Sequence, residues 1–143
     1  MLKRDLTPLP IMIETLDTLI GGCKPRGTFH DARLVDTKHR VDFTEMQFAL
    51  DVGDPDATSV EVRELRRTGV LIIHGLHDWI LDPPNVKLGS WLTSDGPIAS
   101  LDTDLARQLV GRLAPDLLHY YMYFSDTNAF LYLACREMEF RWC

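Results

Sequence analysis

The pattern of apolar residues predicts an α+β domain: a curved or two-layer antiparallel sheet with an N-terminal helix and one helix before a C-terminal β-hairpin. Three observations carry this. Met46, Phe48 and Leu50 alternate with Gln47, Ala49 and Asp51, the period of a half-buried strand. Leu101, Leu105, Leu109 and Leu113 recur at helical spacing ahead of Pro115. Leu118, Tyr120, Met122 and Phe124 then alternate with their neighbours, Ser125 to Asn128 form a polar turn, and Phe130, Tyr132, Ala134, Met138, Phe140 and Trp142 alternate again. That last pattern reads as one long hairpin with a strongly apolar face. Strands, a helix and then a strand pair are the order of an antiparallel sheet with helices against one face.

Taken along the chain, Pro10 suits a first helical position. Met12, Leu16, Leu19 and Ile20 form an amphipathic stripe that Gly21-Gly22 would end. After the loop Cys23 to Gly27, Thr28 to His39 has strand character and joins the Met46 strand near Val41 to Thr44. Asp51 to Thr58 is turn chemistry around Gly53 and Pro55. Ser59 to Thr68 fits a short charged helix or an exposed strand, and Gly69 to Ile73 reads as a buried strand. Asp82-Pro83-Pro84 stops whatever precedes it. A short strand is expected over Val86 to Thr93, ended by a turn at Ser94 to Pro97, and Asp102 is the expected N-cap of the second helix.

Composition narrows the function classes. The chain has 143 residues, enough for one domain with its own core, and 15 Lys+Arg against 21 Asp+Glu give a net charge of -6. Such a charge repels polyanions, so nucleic acid is not an expected partner and a basic protein is. Cys23, Cys135 and Cys143 are an odd set with no C-x-x-C pair, which fits free thiols in a reducing compartment. Pro8, Pro10, Glu14 and Asp17 interrupt any apolar signal core after Lys3 and Arg4, and no apolar run approaches the roughly 18 residues of a membrane span. The expectation is a cytoplasmic protein with no membrane association.

Candidate chemistry is sparse. His74 and His77 with Asp78 supply nitrogen and oxygen donors for a divalent metal, but a strand meeting a turn would point the two imidazoles apart. His30 and Asp31 form an orienting pair only if neighbours on a strand, which face opposite sides, are brought together. Across the sheet His30 would need His74 or His119 to build a cluster. Asp51, Asp54 and Asp56 make an oxygen-rich loop without the spacing or the distal Glu of a calcium loop. Cys135 has no base at a readable distance and is expected in the core. Neither glycine-rich phosphate cradle nor nucleophile elbow occurs. Tyr121 and Tyr123 lie on the hairpin face opposite the apolar set, together with Leu131, Leu133 and Cys135; they are interface anchors if exposed and core if a helix or second subunit covers them.

The stretch Phe29-His30-Asp31-Ala32-x-Leu34, with a hairpin and the buried strand ending at Ile73 after it, resembles small bacterial domains that begin with an F-H-D-A strand. Some of these are similar to immunity proteins that neutralise the toxins of rival bacteria. The resemblance implies a binding role without catalytic residues. The leading expectation is therefore a non-enzymatic module that neutralises a basic partner, using Asp51, Asp54 and Asp56 with Tyr121 and Tyr123. The rivals are a metal-dependent hydrolase or lyase using His30, His74, His77 and Asp78, and a homo-oligomer subunit assembled through the hairpin.

Overall fold

A computed structural model describes residues 13–21, 27–84, 90–112 and 114–143. The expected helix residues Pro10 and Met12, Cys23, the start of the Val86 strand and Leu113 lie outside them. One eight-stranded antiparallel sheet dominates, in the order β4-β7-β6-β5-β1-β2-β3-β8. Its strands are β1 Thr28–His39, β2 Phe43–Asp51, β3 Arg66–His74, β4 Asp78–Asp82, β5 Trp91–Pro97, β6 Leu118–Phe124, β7 Ala129–Cys135 and β8 Glu137–Trp142. Three short helices accompany them, α1 Asp17–Ile20, α2 Val60–Arg63 and α3 Asp104–Val110, with a 3-10 turn at Ile98–Ser100 before α3. Antiparallel sheet with little helix is thus the observed class.

Two chain paths determine the shape. β7 runs into β8 through Arg136 alone, although the two strands stand six places apart in the sheet order, about 30 Å in a flat sheet. One residue cannot span that distance. The sheet therefore folds over where β3 turns into β4 and β7 into β8. The two bent paths pair with each other on both sides of the corner, Gly69↔Trp142 to His74↔Glu137 and then Asp78↔Ala134 to Asp82↔Phe130. Arg136 N–H donates to His74 O (2.9 Å) and His77 N–H to Ala134 O (2.7 Å), which carries the ladder through the bend. Gly75 takes φ +62 there, with Arg136 Cγ only 2.4 Å from where a Cβ would stand.

The fold-over encloses the main core. Leu34, Met46, Phe48, Leu50, Leu71 and Ile73 from one half meet Leu92, Tyr120, Met122, Phe124, Leu131 and Leu133 from the other. Phe29 packs edge-on against both Phe48 (5.4 Å) and Phe140 (5.6 Å). Trp79 on the edge strand β4 meets His39 of β1 at 4.8 Å. The segment before β1 seals one end of this core, with Leu16 and Ile20 buried. It is pinned by carboxylates. Asp17 accepts from Phe29 N–H (2.7 Å) and Thr28 Oγ1 (2.9 Å), and Asp95 accepts from Leu16 N–H (3.3 Å) and Tyr120 OH (3.1 Å).

Several expectations are corrected. In the described residues the first helix is only Asp17–Ile20, because Ile13 to Leu16 run as non-helical chain toward Asp95. Ser94 to Pro97 is strand, not turn, since Asp95, Gly96 and Pro97 pair with Met122, Tyr121 and Tyr120. Asp78–Asp82, between the histidines and Pro83, forms β4 where the sequence pattern predicts no strand. The N-cap of α3 is Thr103, whose hydroxyl accepts from Ala106 N–H (3.1 Å), while Asp102 pairs with Arg107. The long hairpin is a hairpin only to Cys135, after which β8 pairs with β3. Even residues of β6 face odd residues of β7, Tyr120↔Leu133 and Met122↔Leu131, because the turn holds four residues. Leu131, Leu133 and Cys135 therefore point into the main core, and burial pushes the Cys135 thiol up to about 12. The one-residue slip at Arg136 restores even parity for Met138 and Phe140.

Two outcomes are expected. Gly75→Ala forces a left-handed alanine at the corner and lowers unfolding free energy by about 1 to 2 kcal/mol in urea titration. Burial holds the Asp95 carboxyl above the usual carboxylate range, outweighing its hydrogen bonds from Leu16 and Tyr120. The native state then holds this proton more tightly than the unfolded chain, so its stabilisation is complete below the ordinary Asp value and is lost as pH rises through the raised one. Asp95→Asn keeps an acceptor for both donors. Its stability should coincide with that of the parent in acid and exceed it at neutral pH, measured by urea unfolding across that range; a neutral-pH loss would show that the charged carboxylate is the better anchor.

Candidate functional site: the uncovered sheet face

The two outer faces of the folded sheet differ. Tyr121, Tyr132, Ile98 and Ala106 form a second core in which the 3-10 turn and α3 cover the β6–β7 face, with Leu101, Leu105 and Leu109 packed against it. Of the two alternatives for Tyr121, coverage by a helix is the one observed: it is 9% exposed beneath α3 and is not an exposed anchor. Tyr123 is half-buried and donates its hydroxyl to Asn128 Oδ1 (2.8 Å). Tyr132 OH meets Thr103 Oγ1 at 3.1 Å, tying sheet to helix cap. The hairpin's outer face is therefore already occupied within the chain.

Among the described residues no helix shares a buried cluster with the outer face of β2, β3 and β8; α1, which touches β8, buries Ile20 in the main core. Strand pairing sets its side chains in rows: Phe43, His74 and Glu137; Glu45, Ile72 and Glu139; Gln47, Val70 and Arg141. All share one side because the intervening Thr44, Met46, Leu71, Ile73, Met138 and Phe140 point inward. His74 Nε2 lies 3.5 Å from Glu139 Oε1, and the Phe43 and His74 rings are 6.3 Å apart. Glu139 also holds Arg141 (3.0 Å), whereas Glu45 and Glu137 have no cation within ion-pair distance among the described residues. Ile72 is only 8% exposed, so the half-buried Phe43 and His74 rings are what this face presents among the carboxylates.

The histidine and aspartate candidates resolve into local pairs. His77 Nδ1 faces Asp78 Oδ2 at 3.6 Å and His74 faces Glu139 instead, so the two imidazoles serve different partners. His30 Nε2 and Asp31 Oδ2 do meet, at 3.5 Å, against the alternation rule. The reason is a bulge: Asp31 has φ +61, so Phe29 and Ala32 both point inward while His30 and Asp31 both stay outside. The F-H-D-A motif is thus accounted for by backbone geometry. His119 Nε2 is engaged with Ala114 O (2.9 Å). Among the described residues no three His, Cys, Asp or Glu are placed to hold a metal. In the acidic loop Asp51 accepts from Gly53 N–H (2.8 Å) and Asp54 from Asp56 N–H (3.0 Å), while Arg63 donates to Ala57 O (2.9 Å). These carboxylates shape their own loop, and Gly53 lies so close to Arg63 O that a Cβ would stand 1.9 Å from it.

The family models, the curated proteins and the solved structures give no match to this chain. A cavity of about 370 Å³ lies between β1 and β4, lined by Leu34, His39, Trp79 and Leu81 together with Met46, Phe124 and Leu131, which are each 1% exposed. The bare sheet face is the better site. Phe43, Glu45, Glu137 and Glu139 carried no functional signal in the sequence. Their alternation with core residues was visible; which strands lie side by side was not.

Tyr121→Ser should lower stability by about 3 kcal/mol because it empties the space under α3. Asp54→Asn, which keeps an acceptor in an exposed turn, should change it by less than about 0.5 kcal/mol. Chemical denaturation measures both.

Proposed function

We propose that the chain is a non-enzymatic protein-binding module that docks a basic partner on the outer face of β2, β3 and β8. The observation that supports it most is the asymmetry of the folded sheet: one outer face is roofed by α3, and the other, which no helix roofs among the described residues, carries the half-buried Phe43 and His74 framed by Glu45, Glu137 and Glu139. An aromatic and aliphatic centre with a charged rim is the composition of a protein interface, where the centre supplies burial and the rim supplies steering. The net charge of -6 adds a long-range attraction for a basic protein that salt would screen. The resemblance of the F-H-D-A stretch to immunity-like domains agrees with a neutralising role. The asymmetry of the sheet, with Asp51 and Asp54 engaged in their own loop, favours the sheet face over the Asp51, Asp54 and Asp56 loop as the docking surface.

The test is affinity recovery from native cells at low and high salt, with three forms of the tagged protein. The parent should bring down a near-stoichiometric basic protein that high salt releases. Asp54→Asn/Asp56→Asn should recover it equally, and Glu45→Arg/Glu137→Arg should lose it at least tenfold. Full recovery by the Glu45/Glu137 variant, or no accompanying protein with the parent, sinks the proposal.

A further inference from the structure

The bare face continues past Val70 to a second end of opposite character. Arg33 of β1 lies opposite Ala49 and is stacked on the Trp91 ring at 4.0 Å, and Arg66 of β3 reaches over to the same ring at 5.4 Å. Arg66 also donates to Asp31 O (2.8 Å), which the bulge turns toward it. Neither guanidinium has a carboxylate within ion-pair distance among the described residues. Asp51, paired opposite Arg66, gives its carboxylate to Gly53 N–H instead. Among the described residues, two cations without an ion-pair partner thus stand on an aromatic platform at one end, with the Asp51 carboxylate beside Arg66, and the carboxylates Glu45 and Glu137 stand without a cation at the other. Phe43 and Ala49, which mark the two ends on β2, are six residues apart, about 20 Å along a strand.

We infer that a second copy of this chain docks on this face, rotated by a two-fold axis through its middle near Val70. Such a rotation sets the Arg33–Arg66–Trp91 end of each copy on the Glu45–Glu137 end of the other, so both charge contacts form at once, and it lays Val70 and Gln47 against their symmetry mates. An isologous contact needs a face that is complementary to itself, and opposite unpaired charges at its two ends supply that. Lys38 and Arg141 do not upset the pattern, since Asp36 (3.7 Å) and Glu139 (3.0 Å) already hold them. A face of this length and four strands wide covers about 400 Å² per copy, below the size of a permanent interface. The dimer is therefore a weak, reversible one. The inference rests on the proposed docking role of the same face, because the partner and the second copy would compete for its acidic end.

Sedimentation equilibrium of the full chain from micromolar to millimolar concentration tests it, at low and high salt. The parent should pass from monomer to dimer, with association weakened at least tenfold by high salt. Arg33→Glu/Arg66→Glu alone and Glu45→Arg/Glu137→Arg alone should each stay monomeric, and an equal mixture of the two should dimerise again, because their altered ends match. Restoration in the mixture also shows that both variants fold. A parent that remains monomeric at millimolar concentration, a single variant that dimerises as the parent does, or a mixture that stays monomeric overturns the inference. The docking role is scored separately: Arg33→Glu/Arg66→Glu should still recover the basic partner, and its failure to do so while the mixture dimerises would count against that role alone.

Discussion

The continuous ladder between the β3–β4 path and the β7–β8 path is the constraint on which the rest of the structure depends. Its pairs run from Gly69↔Trp142 to Asp82↔Phe130 across a corner of a few residues. Because both strands bend together and keep their backbone groups bonded through the bend, the sheet folds without opening its ladder. Once folded, it has an inside and two outsides. The inside takes Phe29, Phe48, Met122 and Phe124, and one outside takes α3.

A second, polar layer of organisation holds the N-terminal segment across the end of the core. Asp95 and Asp17 each accept a backbone N–H that no strand or helix satisfies, from Leu16 and Phe29. Tyr120, fully buried, gives its hydroxyl to Asp95, and burial beside that carboxylate pushes the phenol well above its ordinary value. The pair makes a hydrogen bond inside an otherwise apolar interior, where leaving either group unpartnered would cost about 1 to 3 kcal/mol.

The functional consequence lies in what the fold leaves uncovered. α3 is anchored by its Thr103 cap and by Leu101, Leu105 and Leu109 over Tyr121 and Tyr132, so that face is committed to the chain's own stability. The β2–β3–β8 face has no such cover among the described residues; Arg33 and Arg66 stand toward one end, with Asp51 between them, and Glu45 and Glu137 toward the other. Local pairs elsewhere, such as His77 with Asp78 and Asp54 with its own loop, do not converge. Binding by shape and charge is the chemistry this arrangement favours.

By itself the sequence determined the parts whose information is local. Alternation of Met46, Phe48 and Leu50, the run Gly69 to Ile73, the leucine stripe before Pro115 and the turn at Ser125 to Asn128 located four of the eight strands, β2, β3, β6 and β7, and helix α3, because side-chain period follows from backbone geometry alone. The bulge at Asp31, the corner at Gly75 and the parity change across the Phe124–Ala129 turn depend on which strands pair and in what register. Pairing is decided by contacts between residues far apart in the chain, and only the tertiary structure shows them. That is why Tyr121 and Tyr123 left the surface or its centre while Phe43, Glu45 and Glu137 gathered there: each residue's face was legible, and its neighbours across the sheet were not.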